Sequence, residues 1–92
     1  VLNEVKNQEH FTAPPFNGHG LPLWQINARL KFQKETGTRI RLIVKEKGTD
    51  IIYRQFLDIL EDGKKIDTHG EKPRRIYPLE SFIKSSDRDF KL

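Results

Sequence analysis

Two triplets in this chain, Glu4-Val5-Lys6 and Asp62-Gly63-Lys64, set a carboxylate and an ammonium two residues apart, a spacing used by some metal-dependent nucleases. Neither is placed by its surroundings at the end of a core strand beside a second acid, so the sequence supports no catalytic assignment. The three histidines, His10, His19 and His69, fall in separate stretches without the i,i+4 spacing or adjacent carboxylate motif of a zinc site. Asn17-Gly18-His19-Gly20 lacks the Lys-Ser/Thr that completes a phosphate-binding loop, and reads as a tight turn. The expectation is a domain with no catalytic residues, no metal, no cofactor and no evident small-molecule substrate.

Basic residues form the one constellation with chemistry behind it. From Arg29 to Lys47 the chain carries seven Lys or Arg against Glu35 and Glu46, so this fifth of the molecule holds a charge of +5 within a total of +4. Trp24 to Gln33 alternates apolar and polar residues, and the alternation resumes in Arg39-Ile40-Arg41-Leu42 after Lys34-Glu35-Thr36-Gly37-Thr38. A period of two predicts two half-buried strands, and Gly37 suits the left-handed position of a hairpin turn. The hairpin buries even-numbered residues and displays Arg29, Lys31, Arg39, Arg41, Lys45 and Lys47 on its other face. In that register Lys31 faces Arg41, and opposed cations favour a polyanionic partner. A second basic group, Lys72, Arg74 and Arg75, follows in a Gly- and Pro-containing loop. Its Gly70-Glu71-Lys72-Pro73 core is similar to the linker between zinc fingers, but the flanking Cys and His ligands are missing.

These nine cations are the expected nucleic-acid-binding residues, with Arg able to read base edges and Lys holding phosphate. DNA is preferred to RNA as the partner. The competing explanation is a solvated basic face that discourages edge pairing. In that case the chain is a protein- or peptide-interaction domain, gripping its partner by a sheet edge or by the Pro-rich loop around Phe16. Trp24 is assigned to the core, with base stacking as its alternative.

The elements that must position these groups are short. Pro14-Pro15, Asn17-Gly18 and Gly20 before Pro22 interrupt regular structure from His10 to Leu21. Asp50 to Leu60 fits two templates, with strand formers in Ile51-Ile52-Tyr53 and helical spacing in Ile52, Phe56, Ile59 and Leu60. The strand is favoured slightly, with Asp62-Gly63 turning the chain into Lys64-Lys65-Ile66. Arg75-Ile76-Tyr77 reads as a last strand, and Pro78 opens a helical turn.

Ninety-two residues make one small domain, with 1–9 and 85–92 as loose ends. At 35% hydrophobic and 33% charged residues the chain is polar for a globular protein, yet nine aromatics argue against general disorder. The absence of cysteine excludes disulfides, and no apolar run is long enough to span a membrane. An intracellular location, cytoplasmic or nuclear, is the default expectation, and the lack of methionine suggests a domain excised from a larger protein. The expected fold class is α+β, mostly β: a small antiparallel meander or partly open barrel with one or two short helices. Its expected core is Trp24, Ile26, Leu30, Phe32, Ile40, Leu42 and Val44 against Ile52, Phe56, Ile76 and Phe82.

Overall fold

The computed structural model describes residues 1–86 and 88. With 47% strand and 26% helix it is a mostly-β α+β domain with two helices, the expected class. One sheet contains β1 (Leu2–Gln8), β4 (Ile40–Glu46), β5 (Ile51–Phe56) and β8 (Ile83–Ser86) in that spatial order. The other contains β2 (Phe11–Ala13), β3 (Phe16–Pro22), β7 (Arg74–Pro78) and β6 (Ile66–Asp67). Two helices, α1 (Leu23–Thr36) and α2 (Leu57–Asp62), complete the fold, with a 3-10 turn at Leu79–Ser81. All neighbouring strands are antiparallel except β1 and β4, which run parallel and are joined through β2, β3 and α1.

The expected hairpin does not form. Its first arm is α1, and β4 pairs instead with β1 and β5, so the Lys31–Arg41 opposition is absent. The reason lies in the residues. Leu, Gln, Ala, Arg and Lys dominate this segment and Ile26 is its only β-branched residue before Thr36, a composition that favours helix. A period-two pattern also satisfies i,i+4 spacing, so Ile26 and Leu30 fall on one helical row and Trp24, Ala28 and Phe32 on another. Gly37 does adopt the left-handed conformation, at φ 74°, but as a helix terminator whose N–H donates to the Gln33 carbonyl at 2.8 Å. The Gln33 side-chain amide then ties α1 to β4 and α2, accepting from Ile40 N–H at 3.1 Å and donating to Asp58 at 3.4 Å.

The core joins the two sheets, α1 and α2: Leu21, Ile26, Ile40, Leu42, Val44, Tyr53, Leu57, Leu60, Tyr77 and Phe82. Trp24 and Phe32, expected inside, are 72% and 38% exposed, because the second helical row faces away from the sheets. Ile43 and Ile52 are buried yet stand outside this cluster, on the opposite face of the β1/β4/β5/β8 sheet. Both readings of 50–61 are realised in sequence: Ile51 to Phe56 is strand, and Leu57 to Asp62 is helix. Ile66 pairs with Ile76 of β7, so the Asp62-Gly63 hairpin is replaced by a helix end.

The N-terminal stretch, expected loose, is a seven-residue strand in register with β4 from Leu2↔Ile40 to Gln8↔Glu46. Of the expected C-terminal loose end, Ser85 and Ser86 belong to β8 and most of the remainder lies outside the described residues. Asn17-Gly18-His19-Gly20, read as a turn, runs through β3 against β7. Tyr77, fully buried, anchors β7 by donating its hydroxyl to Glu61 at 2.8 Å, and burial raises its pKa.

Candidate functional site

Parallel pairing fixes which side of β1 faces the core. Glu4, Lys6 and Gln8 stand opposite Leu42, Val44 and Glu46, all core-facing, so three polar side chains of an edge strand point inward. Each is half-buried. Gln25 and Arg29, one helical turn apart on α1, reach down to the same spot, and both donate to Glu4 Oε1 at 2.8 Å. The Glu4 side chain is 16% exposed and that of Arg29 34%.

Lys6 sits two residues on from Glu4 along that face, about 7 Å by strand geometry. No described residue gives its ammonium a hydrogen bond or an ion pair. A partly desolvated, unpaired cation is energetically unfavourable by itself and attracts an anion. Glu4 Oε2 likewise receives no hydrogen bond from a described residue, since both donors use Oε1. The inward face of β1 and the α1 side chains that reach it thus bring one carboxylate oxygen, one ammonium and one guanidinium to the margin of the sheet.

The row continues into a histidine pair that the sequence did not bring together. His10 Nδ1 and His19 Nε2 lie 2.9 and 3.2 Å from the same oxygen of Glu46, and Gln8 Nε2 lies 3.3 Å from His19 Nδ1. With Gln8 donating to Nδ1, His19 is the neutral tautomer that gives its Nε2–H to Glu46. Burial lowers the His19 pKa, against the opposing pull of Glu46. Burial also raises the pKa of Tyr53, whose ring centroid is 5.1 Å from that of His19. The unfolded chain takes up a proton at this imidazole near 6.5, and the native state resists it. This contribution to stability is therefore present above 6.5 and is lost as pH falls toward the lower native pKa. Urea midpoints are expected to drop between about pH 7.5 and about pH 5.5, with a shallower drop in His19→Gln. An equal drop in the variant would assign the effect to other groups.

The nine expected contact residues are not one surface. Arg29 and Lys31 are on α1, the latter 3.9 Å from Glu35. Arg39, Arg41 and Lys45 flank or occupy β4 on the outer side of its sheet, where Arg54 of β5 joins them. Arg39 stacks 3.7 Å over the Phe56 ring and grips Asp58 at 2.7 and 2.9 Å, which lowers the Asp58 pKa. Arg41 donates to Asn3 at 3.0 Å. Lys47 follows β4 in an exposed turn, and Lys72 is exposed in the loop before β7. Arg74 lies over Phe11 with its Nε buried and without a hydrogen-bond partner among the described residues, and burial lowers its pKa. Arg75 is a structural cation, bound to Asp67 and Glu61 at 2.7 Å each.

The sequence shows Glu4 and Lys6 as a nuclease-like spacing but assigns them no role, because their value depends on Gln25 and Arg29, which converge only if 23–36 is helical. Among the described residues no three His, Cys, Asp or Glu side chains are grouped to hold a metal ion. No helix among them is long and apolar enough to cross a membrane. No protein-family model, curated protein or solved structure matches the chain.

Proposed function

We propose that this domain binds nucleic acid and that its phosphate-engaging centre is the cleft of Glu4, Lys6, Gln25 and Arg29, in place of a basic hairpin. The observation that carries this reading is the half-buried Lys6, whose ammonium has no partner among the described residues, two residues along the same strand face from Glu4 and the Arg29 that binds it, at a sheet edge. A phosphodiester supplies the missing counter-charge and accepts from both groups, and Arg offers a planar fork of donors for its oxygens. Arg41 and Lys45 lie on the opposite face of the same sheet and extend the positive field without sharing the cleft. The net charge of +4 supports the same class of partner.

Binding of labelled single-stranded and duplex oligonucleotides, followed by anisotropy across a salt series, tests the proposal. Log affinity is expected to fall linearly with log salt, and Lys6→Ala to flatten the slope by roughly 0.7 to 0.9, the share of one phosphate contact. Arg41→Ala, on the other face, is expected to change affinity less. No binding at low salt, or an unaltered slope in Lys6→Ala, rejects the cleft.

A second reading, metal-assisted phosphodiester cleavage at this cleft, is favoured by Glu4 Oε2 standing without a described donor next to Lys6. Mg²⁺ is commonly held by one or two carboxylates together with substrate phosphates, so a lone acid is compatible with it. Cleavage that requires Mg²⁺ and disappears in Glu4→Gln would place this reading first.

A further inference from the structure

Among the described residues the outward face of α1 has no partner, although it carries the chain's only tryptophan, 72% exposed. Trp24, Ala28 and Phe32 follow at i, i+4 and i+8, a single row with about 6 Å between successive positions along the axis. Ala28 leaves a gap between the two rings. Lys31 and Lys34 flank the row, and its one acid, Glu35, lies 3.9 Å from Lys31. Trp24 immediately precedes Gln25, whose amide is bound to Glu4, so the row begins one residue along the helix, and about 100° around it, from the side chains that hold Glu4.

We infer that Trp24, with Phe32, is a stacking platform for unpaired bases of a strand whose backbone runs into the Glu4–Lys6 cleft; this rests on the nucleic-acid reading. The charge of the face selects the occupant. Its cations outnumber its acid, which suits a polyanion carrying flat π-faces. Apart from the two rings, the large exposed apolar side chains among the described residues lie off this helix: Val1, Leu2 and Val5 at β1, Ile59 on α2 and Ile83 on β8. The face therefore lacks the broad apolar patch of a protein interface. Every base has a face to stack, so the platform discriminates single strands from duplex more than one sequence from another.

A single tryptophan makes the test direct. Oligo-dT and a mixed-sequence duplex are titrated at low salt, with binding read by anisotropy of a labelled oligonucleotide and stacking read by tryptophan emission. Oligo-dT is expected to quench the emission, and Trp24→Ala to weaken its binding roughly 5-fold or more, with Trp24→Phe restoring part of the loss. Duplex affinity is expected to change less. Binding with unaltered emission, and with Trp24→Ala equal to the parent, overturns the platform while leaving the phosphate cleft standing. No binding of either oligonucleotide overturns both. A concentration-dependent emission shift without oligonucleotide, accompanied by dimers in sedimentation, assigns the face to a second copy and overturns it.

Discussion

Gly20→Ala is expected to cost about 3 kcal/mol or more and to leave the domain largely unfolded at moderate urea. A Cβ at this position would land on the Arg75 carbonyl and within 2.9 Å of the Ile76 Cα. Both are backbone atoms, so no rotamer change relieves the clash. Relief requires β3 and β7 to separate, and their five-pair register from Gly18↔Pro78 to Pro22↔Arg74 carries His19, Leu21, Ile76 and Tyr77, all buried. Gly18→Ala meets the Tyr77 carbonyl in the same way. Gly63→Ala is the control: its nearest neighbour would be 3.8 Å away and its φ of −102° suits any residue. Urea unfolding followed by circular dichroism separates the three variants. If Gly20→Ala keeps the parent midpoint, the close approach of β3 to β7 is wrong.

That glycine pair also shows where the sequence was legible. Gly18 and Gly20 were visible as special positions, but a glycine that permits a turn and one that permits two strands to touch look alike without the partner strand. The segment 24–33 is the larger case. Its alternation satisfies a strand and, through i,i+4, a helix with apolar residues on two sides, and only the β4 pairing decides between them. Once α1 is a helix, Ile26 faces the sheets and Trp24 faces water. The β4 residues Ile40, Leu42 and Val44 face the core as their pattern required, because β4 is a strand in either arrangement. Asp50 to Leu60 was ambiguous because it holds both elements, with the change falling at Phe56–Leu57. The Glu4–Lys6 spacing was readable from the start. Its significance was not, since it comes from 21 and 25 residues away in Gln25 and Arg29.

Glu4→Gln divides the roles that the cleft can play. In the absence of metal the carboxylate repels a phosphate and occupies Arg29, whose Nε donates to it at 2.8 Å. Neutralising it removes the repulsion and releases the guanidinium, so in EDTA Glu4→Gln is expected to bind oligonucleotides roughly 5-fold more tightly, equivalent to about 1 kcal/mol. The salt slope should steepen by about 0.7 to 0.9, because the Arg29 charge that Glu4 neutralises in the parent becomes fully available to the phosphate it already contacts. Lys6→Ala moves both quantities the other way, and the double variant tests whether the effects are coupled across the cleft. Stability answers a separate question. The Glu4–Arg29 pair is partly exposed, so its loss is expected to lower the urea midpoint only slightly, Gln retaining the hydrogen bond to Gln25. If Glu4→Gln lowers stability substantially and leaves affinity and salt slope unchanged, the inward charges of β1 serve to hold α1 and guard a sheet edge, and the binding centre lies elsewhere. With Mg²⁺ restored the same variant reports on chemistry. A parent that cleaves the oligonucleotide and a Glu4→Gln that binds it more tightly but leaves it intact would identify Glu4 as the group that brings the cation to the phosphate.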